Sequence, residues 1–172
     1  MLYLKCSSKV LARAKLKKEF LAVAEPTDAT LGNWCVTMFQ IDGTNVLVYM
    51  SERSLLSFML TEGERITPEK LATAFQNGLY QTLKMEGFEA AEIDRLLAEG
   101  EEGRYSRLDN ASVTGILTSI AEFYRYLIEM AGGLQRCNIG SIVHKTNSMP
   151  RKPIGFALPV DVARGLVRGA AT

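Results

Sequence analysis

Few side chains in this sequence are suited to acid–base or nucleophilic chemistry. His144 is its single histidine, and Cys6, Cys35 and Cys137 are its three thiols. One histidine is too few for a His-Glu-x-x-His zinc site, and the spacing of Cys137 and His144 fits no common metal-ligand motif. The sequence also contains no Cys-x-x-Cys, Walker A, Gly-x-Gly-x-x-Gly or Gly-x-Ser-x-Gly motif. We therefore predict no catalytic residue, no metal and no cofactor, and we favour a protein that is not an enzyme.

His144 still supports one enzymatic alternative. An imidazole titrates near neutral pH and can exchange protons with a substrate. The residues around it include glycine, serine and asparagine, a composition typical of an accessible loop. This alternative is a small enzyme with a His144-centred site, although the sequence identifies no acid that would orient the imidazole.

The cysteines are typical of a reducing compartment. Their number is odd and they are widely spaced, whereas disulfide-stabilised secreted domains use denser, paired cysteines. The first residues lack the pattern of a signal peptide, and no run of 18 apolar residues is present. We therefore predict a cytoplasmic protein with no membrane partner, in which the thiols are buried as small apolar side chains.

Basic side chains lie toward both ends of the chain and could contact phosphates. The candidate binding residues are Lys9, Arg13, Arg104, Arg107, Arg136, His144, Lys145, Arg151 and Lys152. Tyr3, Tyr105 and Phe156 lie near them in sequence and could stack on bases. Their spacing matches no known reader motif, so an ordinary solvated surface is the alternative explanation.

The formal net charge of +1 conceals three differently charged segments. Residues 1–60 carry seven basic and five acidic groups, residues 61–103 carry four and ten, and residues 104–172 carry nine and four. The acidic middle could neutralise the basic ends inside the fold, or the basic ends could form a surface for an anionic partner. The pattern excludes only a uniformly basic protein.

The chain has 172 residues, and 47% of them are hydrophobic. We therefore predict a single folded domain over residues 1–172, which positions the basic side chains and His144. We predict an α+β fold with a small, mainly antiparallel sheet. A central hairpin at about residues 33–50 and the N-terminal strand build this sheet, and four to six helices cover it. A proline-punctuated arm with a short helix is predicted at about residues 145–168.

The hairpin is the clearest element. Apolar residues occupy both faces of its two strands, and Asp42-Gly43 lies between them. Asp-Gly favours a two-residue turn because both positions need a positive φ. Since both faces are apolar, we expect the hairpin to be covered on both sides or central in the sheet.

Helix signals are strong at some places and weak at others. Ser7-Ser8, Thr67-Pro68 and Asp109-Asn110 each predict a helix start, and a further helix is predicted over Glu89–Glu99. The apolar run 55–60 is interpreted as a short helix, and the segment around Ile139, Ile142 and Val143 as a late strand or loop. We expect a short extended or loop segment at 104–108.

Several segments together resemble a bacterial family catalogued as domain of unknown function 6933. They are Leu2-Tyr3-Leu4 with Lys9-Val10-Leu11, the Trp34-led hairpin from Gly32 through Glu52, and Asn110-Ala111-Ser112-Val113-Thr114-Gly115. Ala111 stands where the family has an arginine, no Asn-Asp pair follows Gly115, and the hairpin turn lacks the family's basic residues. The likeness covers most of the chain and implies no activity.

The tail carries a second, narrower likeness. Residues 146–156, followed by Pro159-Val160-Asp161-Val162, resemble the tail of integrase-type transposase cores. Such cores need three carboxylates that hold two metal ions. No acid lies in the first strand or in the strand from Val46 to Met50, so we interpret the tail as an arm that docks a short helix.

The preferred functional hypothesis is a non-enzymatic binding or regulatory module from a bacterium or mobile element, of the toxin–antitoxin or phage-conflict type. Its partner would be another protein or a second copy, because Ile154, Phe156 and Leu158 could form an apolar docking surface. The first alternative is a nucleic-acid-binding protein that uses the basic N- and C-terminal segments. The second alternative is the His144-centred enzyme.

Overall fold

A five-stranded sheet lies at the centre of the computed structural model, which describes residues 1–63 and 65–169. The strands are β1 (Tyr3–Cys6), β2 (Trp34–Ile41), β3 (Thr44–Ser51), β4 (Ser57–Glu62) and β5 (Arg104–Arg107). Their spatial order is β4-β3-β2-β1-β5. The hairpin β2–β3 therefore lies inside the sheet, as predicted.

Antiparallel pairing dominates the sheet. The β2–β3 and β3–β4 ladders are antiparallel and contain eight and six residue pairs. Strand β1 runs parallel to both of its neighbours, with three pairs to β2 and four to β5. The predicted α+β fold with a mainly antiparallel sheet is confirmed.

The hairpin turn has the geometry that its sequence demands. Asp42 has φ of 52° and Gly43 has φ of 73°, the left-handed values of a two-residue hairpin turn. Seven of the eight residues of β3 are buried, because the strand has neighbours on both sides and helices on both faces.

Helices cover the sheet, and side-chain caps begin several of them. The helices are α1 (Ser8–Arg13), α2 (Pro68–Met85), α3 (Ala90–Glu99), α4 (Ala111–Met130), α5 (Ile139–Asn147) and α6 (Pro159–Gly169). Ser7, Thr67 and Asn110 each accept a hydrogen bond from a main-chain N–H of the first turn. These starts are confirmed. No described helix combines the length and apolar character that a membrane span requires.

Two elements differ from the prediction. The apolar run 55–60 is not a helix: Leu55 has a φ of 61° and turns the chain, and β4 then pairs with β3. Pairing with an existing strand outweighs the weak local helix signal. The segment around Ile142 is helix α5 rather than a strand or loop, because Asn138 caps it and Ile139, Ile142 and Val143 follow helical spacing.

Helices α2 and α4 lie on opposite faces of the sheet. The rings of Trp34 and of Phe75 in α2 are 5.3 Å apart, whereas Arg125 of α4 lies over Phe39 at 4.7 Å. Residues 34 and 39 of one strand point to opposite faces. The buried apolar side chains of both layers form one continuous core.

Candidate functional site

A cavity of about 610 Å³ opens between α1 and α4, beside the last residues of β2. Its lining residues are Lys9, Ala12, Arg13, Met38, Phe39, Gln40 and Arg125. Three of them are cationic and none is a carboxylate. We call this the basic cavity.

Helix α1 positions two of the cations. The Ser7 side chain caps the helix, and Val10 and Leu11 are buried against the sheet. Lys9 and Arg13 are four residues apart and both exposed, so they lie on one helix face with Cβ atoms about 5–6 Å apart. Because one side of α1 is buried, Lys9 and Arg13 lie on its exposed side, and both line the basic cavity.

The third cation comes from a distant part of the chain. The guanidinium carbon of Arg125 lies 4.7 Å from the centre of the Phe39 ring, a cation–π contact that holds it against the strand. Phe39 belongs to β2 and is itself buried. Arg125 is therefore fixed at the cavity wall by packing.

The cations of the basic cavity form no ion pair within residues 1–63 and 65–169. The ion pairs of this part of the chain join other groups, and none includes Lys9, Arg13 or Arg125. Three unpaired cations around one concavity raise the local positive potential and attract anions.

A second group of basic residues lines a smaller cavity of about 300 Å³ near the ends of β1 and β5. Lys5, Lys18 and Arg107 lie there together with Asp109. Lys5 forms an ion pair with Glu52 at 2.7 Å. The carboxylates of Glu52 and Asp109 therefore offset part of the positive charge of this smaller cavity. This cavity is less suited to an anion than the basic cavity.

The other predicted binding residues are dispersed. Arg104 lines a separate cleft with Glu19, Arg136 follows α4, Lys145 lies on α5, and Lys152 begins a 3₁₀ turn. Arg151 packs over Phe123 at 5.3 Å and donates to the Thr146 carbonyl at 3.4 Å. The structure brings Lys9 and Arg13 together and does not gather the nine predicted residues into one patch.

The aromatic residues proposed for base stacking are differently placed. Tyr3 is 6% exposed, and the hydroxyl of Tyr105 donates to the Pro68 carbonyl. Phe156 is 66% exposed but lies in the C-terminal arm. Sequence reasoning missed Phe39, Gln40 and Arg125. In the sequence, Phe39 and Gln40 stand at the end of an apolar strand and Arg125 is an arginine inside an apolar helix. These positions gave the only indication of a site.

Most of the acidic middle segment lies on the other side of the sheet. Its two helices, α2 and α3, pack on each other, and α2 covers the Trp34 face. The C-terminal cations do pack beside them: Arg168 pairs with Glu92 at 3.4 Å. Part of the positive charge of the C-terminal segment is therefore neutralised within the fold, whereas the cations of the basic cavity face away from α2 and α3.

His144 lies in the last turn of α5 and not in a loop, which corrects the sequence interpretation. Its Nδ1 is 2.9 Å from Glu86 Oε1 and 3.2 Å from Oε2. The Glu86 side chain is 2% exposed and that of His144 is 59% exposed. The orienting acid that the sequence did not identify is present, and the pair connects the end of α2 to α5.

The thiols are poorly suited to nucleophilic chemistry. Cys6 and Cys35 are buried, and Cys137 is half-buried; none forms a disulfide. Burial raises the pKa of Cys6 to about 12 and raises that of Cys35 as well, so both remain protonated near neutral pH. Within the described part of the chain, no three His, Cys, Asp or Glu side chains converge as metal ligands would.

Comparison with known protein families assigns most of the chain to one family. No curated protein matches the chain. A family described as "Domain of unknown function (DUF6933)" matches residues 3–162, which include all five strands and every residue of the basic cavity. The chain belongs to this DUF6933 family of unknown function.

Proposed function

We propose that the protein is a non-enzymatic binding module whose basic cavity takes a phosphate-bearing ligand. The observation that carries the proposal is the convergence of Lys9, Arg13 and Arg125, unpaired within the described residues, on one cavity of about 610 Å³. That volume lies within the range of about 300–1,000 Å³ typical of small-ligand sites. Phosphate oxygens accept hydrogen bonds from arginine and lysine and match their charge.

Two features support binding over catalysis. Cys6 and Cys35 are buried and protonated near neutral pH. The lining of the cavity contains no histidine, cysteine or carboxylate. The His144-centred enzyme stays a prediction, favoured only by the Glu86 contact at 2.9 Å.

The finer predictions belong to the same proposal. We infer a cytoplasmic location, which the three unpaired thiols support. A bacterial source, a role in toxin–antitoxin or phage-conflict systems, and a protein partner or second copy remain predictions. The 66% exposure of Phe156 supports the apolar docking surface in part.

The proposal predicts salt-dependent binding of a phosphate chain. The probe is a fluorescein-labelled single strand of about 12 nucleotides, followed by fluorescence anisotropy between about 50 and 200 mM NaCl. Two or three phosphate contacts on a single strand give a slope between about −1.4 and about −2 in a plot of log affinity against log salt. Lys9→Gln, Arg13→Gln and Arg125→Gln together should abolish most of the binding and flatten that slope.

The matched control removes the same charge from the opposite face of the sheet. Arg65→Gln, Lys70→Gln and Lys84→Gln change three exposed cations and should leave the affinity within about twofold of the parent protein. An equal loss in both triple variants, or a parent protein that does not bind the strand, would overturn the proposed function.

A further inference from the structure

The guanidinium of Arg125 is a candidate stacking group at the wall of the basic cavity. Its central carbon lies over the Phe39 ring, 4.7 Å from the ring centre, and planar guanidinium groups stack on aromatic faces. Arg125 also lines the basic cavity and forms no ion pair within residues 1–63 and 65–169, so its charge is available to a ligand there. Arginine planes stack on nucleobases in single-stranded nucleic acid recognition.

Lys9 and Arg13 are arranged for the phosphates that accompany such a base. They lie one helical turn apart, across the cavity opening from α4. A ligand that contacts both helices therefore needs negative charge on one side and a flat aromatic group on the other. A nucleotide with an unpaired base has both groups, whereas a base inside a duplex presents only its edges.

We propose that the basic cavity binds a single-stranded nucleic acid segment, with its phosphates on Lys9 and Arg13 and one base stacked on Arg125. This inference rests on the proposed function and adds the chemical class of the ligand. Because stacking accepts any base, the recognition is expected to tolerate sequence changes.

The test separates base stacking from phosphate contact. Fluorescence anisotropy compares a labelled 12-nucleotide oligo-dT with an abasic strand of the same length, which retains the phosphates and lacks the bases. The parent protein should bind oligo-dT about tenfold more tightly than the abasic strand. Arg125→Lys keeps the charge but removes the plane, so this ratio should fall close to one.

Two further variants make the result specific. Phe39→Leu removes the ring that holds the guanidinium and should lower the same ratio; a thermal melt verifies that the variant is folded. Arg65→Lys makes the same chemical change at an exposed arginine outside the cavity and should leave the ratio unchanged.

The outcomes distinguish the inference from the proposed function. Equal binding of oligo-dT and the abasic strand by the parent protein would overturn base stacking while phosphate binding stands. Tighter binding of a duplex, or equally tight binding of a free mononucleotide, would overturn the single-strand assignment. Failure to bind either strand would overturn the proposed function itself.

Discussion

Glu86 is the least expected residue in the molecule, because its carboxylate is almost completely buried. The side chain is 2% exposed, and its described partner is the exposed imidazole of His144. A buried carboxylate without a hydrogen-bond donor is costly. The pair therefore acts first as a structural link between α2 and α5, whatever further role the imidazole has.

Replacing His144 should reveal this link. His144→Ala leaves the Glu86 carboxylate without its donor and is expected to lower the free energy of unfolding by about 1–3 kcal/mol. Urea unfolding followed by circular dichroism measures the change. Lys145→Ala, at the exposed neighbouring position, is the control and should change stability by less than about 0.5 kcal/mol. Equal values for both variants would contradict a structural role for the pair.

Most elements with a local sequence signal were predicted, although α5 was missed despite its Asn138 cap; a strand that depends on pairing was not predicted. Thr67-Pro68 and Asn110 predict helix starts through capping, and Asp42-Gly43 predicts the hairpin turn; the structure has all three. Strand β4 gave no such signal, because its six residues show no clear period and its conformation depends on β3. Short apolar runs are ambiguous for this reason.

Gly78 and Gly115 show how the same residue type can have opposite roles within helices. Gly78 of α2 faces the sheet, and a Cβ at that position would lie 3.0 Å from Leu60 Cδ1 and closer still to the Phe58 ring. That ring packs on Trp34 and Tyr49 at 5.6 and 5.1 Å and cannot easily move. Gly115 of α4 is exposed, and a Cβ there would meet nothing within 4 Å.

The two glycines predict stability changes of opposite sign. Gly78→Ala should destabilise the protein by about 1–3 kcal/mol, because overpacking outweighs the gain in helix propensity. Gly115→Ala should stabilise it by about 0.5–1 kcal/mol through helix propensity alone. Thermal unfolding of the two variants measures both changes. A stabilising Gly78→Ala would show that α2 does not pack closely on β4.

At the scale of the whole molecule, the fold brings cations from distant parts of the chain to one cavity. Residues 9 and 125 line one cavity although 115 residues of chain lie between them. No sequence period relates them, so the sequence predicted two of the three cations individually and neither Arg125 nor the cavity. Helix α2 lies across the sheet from this cavity, because β2 presents Trp34 to α2 and Phe39 to Arg125 of α4.

Buried neutral acids give the whole molecule a characteristic response to alkaline pH. Burial is the principal cause that raises the pKa of Cys6 and of Tyr105 to about 12, and it also raises the pKa of Tyr49 and Tyr124. In the unfolded chain these groups lose their protons near pH 9 to 10. The native state therefore binds more protons than the unfolded state in this range, and its stability decreases as pH rises.

We expect full stability below about pH 9 and a progressive loss between about pH 9 and 12, with a slope of up to about 1.4 kcal/mol per pH unit for each group that remains protonated only when folded. Urea unfolding at successive pH values measures the slope.

Tyr105→Phe should make this slope shallower, because one buried hydroxyl no longer titrates. Tyr126→Phe is the matched control, since that ring is 52% exposed and remains largely in water, and it should leave the slope unchanged. Constant stability up to pH 11 would show that these hydroxyl and thiol groups reach water in the native protein, which would contradict their burial.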